Sequence, residues 1–175
     1  MRERGPSADS VPDGFVPAGF TDALAAWAGA VTLVTVADGR DDIGTTVSAF
    51  CPVSAEPPLV LVSLIATSYP AEVLGRVGSF AVTLLAASQR ALAGRFAAAG
   101  RPAARVLLEN VPHLRGPASG ALIPAGGLAA LECEVTSRVP AGDHLLVIAQ
   151  AVNVLYVAES GDPLVRFRSG YLAGR

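Results

Sequence analysis

Residues 30–64, AVTLVTVADGRDDIGTTVSAFCPVSAEPPLVLVSL, decide the fold. Three segments in this stretch read as strands, at 31–37, 44–54 and 59–64. Each is rich in Val, Thr, Leu or Ile and is bounded by turn residues. Ala37-Asp38-Gly39 marks a hairpin. Ser54-Ala55-Glu56-Pro57-Pro58 marks a second turn, because proline stops one strand and delivers the next in extended form. Small hydroxyls (Thr45, Thr46, Ser48 and Ser54) interrupt the apolar residues of the middle segment. A strand that only filled a core would not need them. A strand lying along a polar, planar ligand would, because short hydroxyls and backbone groups approach a ring edge closely.

The chain has 175 residues, enough for one domain with a sizeable core. It is 51% hydrophobic, yet no apolar run approaches the ~20 residues that a membrane-spanning helix needs. A formal net charge of -2 gives no electrostatic case for nucleic acid or an anionic membrane. All 13 basic residues are arginine. Cys51 and Cys133 have neither metal-ligand spacing nor a Cys-x-x-Cys partner, and read as buried free thiols. With no apolar segment of signal-peptide type at the N-terminus, a cytoplasmic location is expected.

Outward from the organising stretch, residues 1–17 carry Gly, Pro, Ser and scattered charge without periodicity. They read as a flexible leader, with one domain over 18–175. FTDALAAWAGA places Phe20, Leu24, Trp27 and Ala28 on one helical face, with Thr21 and Asp22 at the start, Gly29 at the end and Trp27 as a core anchor. After the third strand, Thr67 or Ser68 is positioned to cap a helix over 71–78, with Glu72 in its first turn. A fourth strand covers 79–85, and Ser88 can cap a further helix over 89–100. Residues 100–124, rich in Gly, Pro and Arg, read as a long excursion bordering a site. His113 within it reads as a surface or loop-packing residue. Over 128–138, Leu131, Cys133 and Val135 alternate with Glu132 and Glu134, which predicts a half-exposed strand with both carboxylates on a solvated face. A turn at Gly142-Asp143-His144 then leads into a long strand of barrel character, LLVIAQAVNVLYVA. Strands outnumber helices and hairpin links dominate, so the expected fold is mainly β: an antiparallel barrel with a few peripheral helices.

Side-chain chemistry is sparse. There is no Gly-x-Ser-x-Gly context, no metal-ligand cluster and no Gly-x-Gly-x-x-Gly after a strand. If the chain is an enzyme, a cofactor carries the reaction while the protein supplies position and electrostatics. The sharpest local polar feature is Gly142-Asp143-His144, readable either as an ordinary hairpin turn or as a device that sets His144 at a barrel rim.

The segments FTDALAAWAGAVTLVTV, GTTVSAFCPVSAEPPLVLVSL, SFAVTLLAASQRALAGRF, LAALECEV, AGDHLLVIAQAV and PLVRFRSGYL, in this order, resemble the short-chain flavin reductase family. The resemblance implies an FMN-binding split barrel that works as a homodimer. It implies NAD(P)H-dependent reduction of free FMN or FAD, with the reduced flavin supplied to a partner monooxygenase. It places Thr46, Val47, Ser48 and Ala49 along the flavin ring. Ser63, Ala66, Thr67, Ser68 and Tyr69 fall on the ribityl chain and phosphate. Gly142, Asp143, His144 and Tyr171 fall beside the nicotinamide nucleotide, His144 as the catalytic or orienting side chain. No metal is implied. Hydride transfer between two stacked rings needs contact and exclusion of water, not a side-chain acid. Many relatives carry a basic residue in the phosphate loop. Here Ile65-Ala66-Thr67-Ser68-Tyr69 has none, which leaves the phosphate to hydroxyls, backbone N–H groups or an arginine from elsewhere, such as Arg90 or Arg95. The alternative function is a non-catalytic flavin- or small-ligand-binding barrel acting as a carrier or accessory subunit.

Overall fold

The structure, a computed structural model, describes residues 15–39 and 41–172. The expected leader lies outside these except for residues 15–17. In chain order the elements are α1 (Phe20–Ala25), β1 (Gly29–Ala30), β2 (Thr32–Val36), β3 (Ile43–Val47), β4 (Phe50–Ala55), β5 (Pro58–Ile65), α2 (Tyr69–Arg76) and β6 (Ser79–Leu84). They continue with α3 (Arg90–Ala97), α4 (Ala104–Leu107), β7 (His113–Arg115), β8 (Leu122–Pro124), β9 (Ala129–Ala141), β10 (His144–Val157), β11 (Val165–Phe167) and β12 (Gly170–Tyr171). The fold is mainly β and antiparallel, as expected.

Seven strands form the main sheet in the order β3-β2-β6-β9-β10-β5-β4. Its two edge strands, β3 and β4, are consecutive in the chain. The expected single strand over 44–54 is therefore two strands, broken at Ser48-Ala49, each paired on one side only: β3 with β2 and β4 with β5. The break has a physical cause. The chain passes there from one edge of the curled sheet to the other, and Ser63 N–H reaches across to Ala49 C=O at 2.9 Å. The sheet thus curls into a barrel that stays split between β3 and β5.

The barrel interior is filled by alternate residues of the central strands, including Val34, Val36, Val62, Phe80, Val82 and Val147. Helix α2 plugs one end with Ala71, Val73 and Leu74. The opposite face of β2 is covered by α3, α4 and the residue after α4, which pack Leu92, Phe96, Ala104 and Leu108 against Leu33 and against Leu85 just past β6; that of β6 is covered by β8, with Ile123 against Ala81. Covering on both faces explains why β2 is buried at all five positions, Thr32 and Thr35 included.

Several local expectations need correction. Helix α1 stops at Ala25 and buries none of its residues; Trp27 is 77% exposed rather than a core anchor. With the barrel filled from the other strands, that helix buries no apolar face among the described residues. Ser88 does not cap α3: it lies in a 3-10 turn, and the Gln89 side chain accepts the Ala86 N–H at 3.1 Å instead. The excursion after Gly100 is not structureless, for it carries α4 and the β7–β8 hairpin. Cys51 is exposed because it sits on edge strand β4, whereas Cys133 is buried and its thiol is pushed up to about 12, chiefly by desolvation.

Glu132 is fully buried, not solvated. Oε1 accepts Ala118 N–H, Ser119 N–H and Ser119 Oγ–H at 3.0, 2.7 and 2.7 Å, and Oε2 accepts Asn153 Nδ2 at 2.8 Å. Desolvation alone would raise its carboxyl; the four hydrogen bonds together outweigh it and hold the group below its ordinary 4.5. The carboxylate pins the loop between β7 and β8 onto the sheet.

Two predictions follow from this packing. A Cβ on Gly44 would sit 2.5 Å from Phe96 Cε1, so Gly44→Ala should lower the unfolding free energy by about 1–3 kcal/mol in a urea titration; an unchanged midpoint would refute the contact. Because the Glu132 pKa is depressed on folding, its stabilisation is present above the unfolded pKa and lost as pH falls through the folded one. Glu132→Gln should therefore cost about 1–3 kcal/mol at neutral pH, setting a donor against Asn153, and should flatten the acid limb of the stability profile. An acid limb identical to wild type would contradict this.

Candidate functional site

Only one hydrogen-bonding side of edge strand β3 is used by β2. On the other side the Asp42 and Gly44 carbonyls accept Ala104 N–H at 2.6 Å and Arg101 Nε at 2.7 Å. By the two-residue alternation of a strand, the main-chain N–H and C=O of Thr46 face that same open side. The Thr46 carbonyl meets only a 3.5 Å contact from Thr45 Oγ1, at the limit of a hydrogen bond.

A groove of about 760 Å³ runs along this open edge. One wall is β3 and the break after it, with Thr46, Val47, Ser48 and Ala49. The facing wall is Ser63 and Ile65 of β5 with His144 at the start of β10. Ser68, Tyr69 and Pro70 close one end, and Arg101 and Pro102, on the loop ahead of α4, stand beside Gly44. Antiparallel pairing explains the convergence: His144 is in register with Ile65, and Ala66 N–H donates to Asp143 C=O at 2.9 Å. The Gly142-Asp143 turn is thereby tied to the loop that enters α2. Gly142 takes φ +60°, which glycine accepts without strain.

Eight of the residues assigned to flavin or nicotinamide share this groove: Thr46, Val47, Ser48, Ala49, Ser63, Ser68, Tyr69 and His144. The others so assigned do not line it. Ala66 and Thr67 are exposed on the loop, the N–H of Ala66 being spent on Asp143. Ser68, not Thr67, caps α2, accepting Ala71 N–H at 3.3 Å. Gly142 and Asp143 form the exposed tip beside His144. Tyr171 belongs to a separate three-stranded sheet, β1-β11-β12, and its ring lies 5.6 Å from the Arg90 guanidinium. That stacking also takes Arg90 away from the groove. Arg95 does not line it either; the arginine that does is Arg101. The Gly100-Arg101-Pro102 sequence, in an excursion already read as bordering a site, was the available signal.

His144 Nδ1 lies 2.7 Å from Asp143 Oδ1. That hydrogen bond and the imidazole charge beside it lower the Asp143 carboxyl. A carboxylate partner makes Nδ1 the donor and fixes the ring, leaving Nε2 for a ligand. A second cavity of about 300 Å³, lined by Leu24, Trp27, Phe167 and Arg168, meets the groove at Ser48 and Ala49.

Among the described residues no group of three or more His, Cys, Asp or Glu is placed to hold a metal, and no helix is long and apolar enough to cross a membrane. The groove offers instead an open main-chain N–H and a weakly engaged C=O at Thr46, with the hydroxyls of Ser48 and Ser63 close by. That set suits the edge of a planar ring carrying alternating carbonyl and N–H groups, as an isoalloxazine does.

Comparison with known proteins agrees with this chemistry. The family model described as "Flavin reductase like domain" matches residues 24–175. The chain is 38% identical over 142 residues to the NADH-dependent FMN reductase AsuE2 of Streptomyces nodosus subsp. asukaensis, covering 81% of this chain and 76% of that one. It is 37% identical over 152 residues to the reductase component of 4-hydroxyphenylacetate 3-monooxygenase from Thermus thermophilus, covering 87% and 93%. The crystal structure of BorF, the flavin reductase component of a bacterial two-component tryptophan halogenase, superposes with a TM-score of 0.81 at 30% identity over 90% of this chain and 98% of that one. The groove is thus found in a chain that belongs to the flavin reductase family.

Proposed function

We propose that this protein is an NADH-dependent flavin reductase that reduces FMN or FAD and supplies the reduced flavin to a partner monooxygenase. The observation that carries the reading is the groove along the unpaired edge of β3, in a chain of this family. Bound flavin would supply the hydride-accepting chemistry. Thr46 would hold the ring edge through its main chain, with Val47, Ser48 and Ala49 along the ring face and Ser63 opposite. Ser68 and Tyr69 stand where the ribityl chain and phosphate would run.

His144 would orient the nicotinamide from the rim, its ring steadied by Asp143. Gly142 sets the turn that places them, and Tyr171 would act only through packing near Arg90. With a single imidazole whose Nδ1 is held by Asp143, the rim is built for positioning more than for proton transfer.

The groove is open in a single chain, and hydride transfer favours a dry one. We propose that a second copy closes it. Phe20, Leu24 and Trp27 are exposed at 48%, 58% and 77%, and the last two line the cavity that joins the groove at Ser48 and Ala49. A homodimer burying this face would cover apolar surface that one chain leaves in water.

Purified protein mixed with FMN or FAD and NADH should consume NADH, followed at the nicotinamide absorbance band, at a kcat on the order of 1–10³ s⁻¹. Flavin binding without turnover would select the carrier reading; neither binding nor turnover would end both. For His144→Ala, kcat/KM for NADH should fall by about 10-fold while the Kd for FMN stays within a factor of ~3. A loss of ~10⁴-fold would make His144 an essential proton donor and contradict the positioning role.

A further inference from the structure

The groove runs for about 17 Å from Gly44 to Ala49 at the rise of an extended strand. Its two ends differ in charge. At the Ala49 end lie Ser48 and Ser63, both neutral. At the Gly44 end lie Arg101 and the start of α2.

The helix start has little left for an anion. Pro70 carries no N–H, Ser68 Oγ takes Ala71 N–H at 3.3 Å, and Ser68 C=O takes Glu72 N–H at 3.1 Å. Arg101 is differently disposed from the arginines that bond carboxylates. Arg76 grips Asp38 and Arg115 grips Asp42, each through two nitrogens. Arg101 instead donates Nε to Gly44 C=O at 2.7 Å and Nη1 to Ala98 C=O at 3.3 Å. Two carbonyls fix the plane of the guanidinium without neutralising it, and three of its five N–H donors remain unspent. Asp41 also lines this end, where Arg105 Nη2 pairs with it at 3.3 Å.

The loop that carries Arg101 is tied to β3 at its C-terminal end, at a residue that is itself held. Ala104 N–H bonds Asp42 C=O at 2.6 Å, and the buried Asp42 carboxylate takes Arg115 at 2.9 Å through both oxygens. Arg101 is therefore a fixed cation at the end of the groove where α2 begins, a helix start whose Ala71 and Glu72 N–H groups are already taken.

We propose that Arg101 holds the 5′-phosphate of the flavin, so that this chain distinguishes phosphorylated flavins from riboflavin through Arg101 rather than through residues 65–69. The assignment rests on the flavin-binding reading above. A fork of charged donors on a phosphate is among the stronger polar contacts available, and riboflavin, which lacks the phosphate, forfeits it.

The test is a fluorescence-quenching titration of FMN and riboflavin into wild type, Arg101→Gln and Arg101→Lys, each at low and high salt. Wild type should prefer FMN, and the preference should weaken with salt. In Arg101→Gln the affinity for FMN should fall by about 10- to 100-fold. The affinity for riboflavin should shift less than ~3-fold, so that the ratio and its salt dependence collapse together. Arg101→Lys should lie between, keeping charge but losing the fork. Parallel losses for both flavins would make Arg101 a structural support of the Gly44 edge and overturn the assignment, as would no change for either. If wild type binds neither flavin, the function reading falls and the assignment with it; if wild type binds and reduces FMN but the ratio is unaltered in Arg101→Gln, only the assignment falls.

Discussion

The structure depends on one crossing of the chain. At Ser48-Ala49 the backbone leaves one edge of a curled seven-stranded sheet and enters the other, and a single hydrogen bond from Ser63 to Ala49 spans the seam. Had β3 gone on pairing with β5 past that point, the open main-chain groups of β3 would be satisfied and the seam closed. Because they meet at one point, the far side of β3 keeps unpaired polar groups. Edge strands are usually a liability that proteins blunt. Here the loop ahead of α4 covers only the Asp42–Gly44 end, and the rest of the edge opens on a groove.

The remaining architecture holds that edge in place. Phe96 of α3 presses on Gly44, Asp42 binds Ala104 through its carbonyl and Arg115 through its carboxylate, and Glu132 clamps the β7–β8 loop on that same face of the sheet. Charged groups with low exposure, Asp42 and Glu132, are each met by several donors, which is the condition for burying a carboxylate without large loss. The groove wall is thus a rigid feature, and a ligand that docks on it spends little on ordering the protein.

Much of this was legible in the sequence. Val, Thr and Leu runs bounded by Asp-Gly and Pro-Pro located the strands, and the hydroxyls of Thr46 and Ser48 marked the strand that borders the groove. The break between β3 and β4 was not legible, because Ser48-Ala49 carries no turn signal; the cause is closure of the sheet, a long-range constraint. Trp27 misled for a related reason. Helical spacing identifies an apolar face but not what covers it, and α1 finds no cover among the described residues. Glu132 looked solvated because alternation assigns sides of a strand without revealing that the loop at Ala118 and Ser119 lies over one of them. Arg101 escaped notice because a guanidinium without a carboxylate partner is a fact of three dimensions.

The central claim is that a flavin ring lies along the open edge of β3. It is tested most directly by following backbone amide resonances of labelled protein while oxidised FMN is added. The account predicts that the amides of Gly44, Thr46 and Ser48, with Ser63 across the seam, move most and saturate together. Saturable binding that leaves these amides still while resonances on another face shift would contradict it.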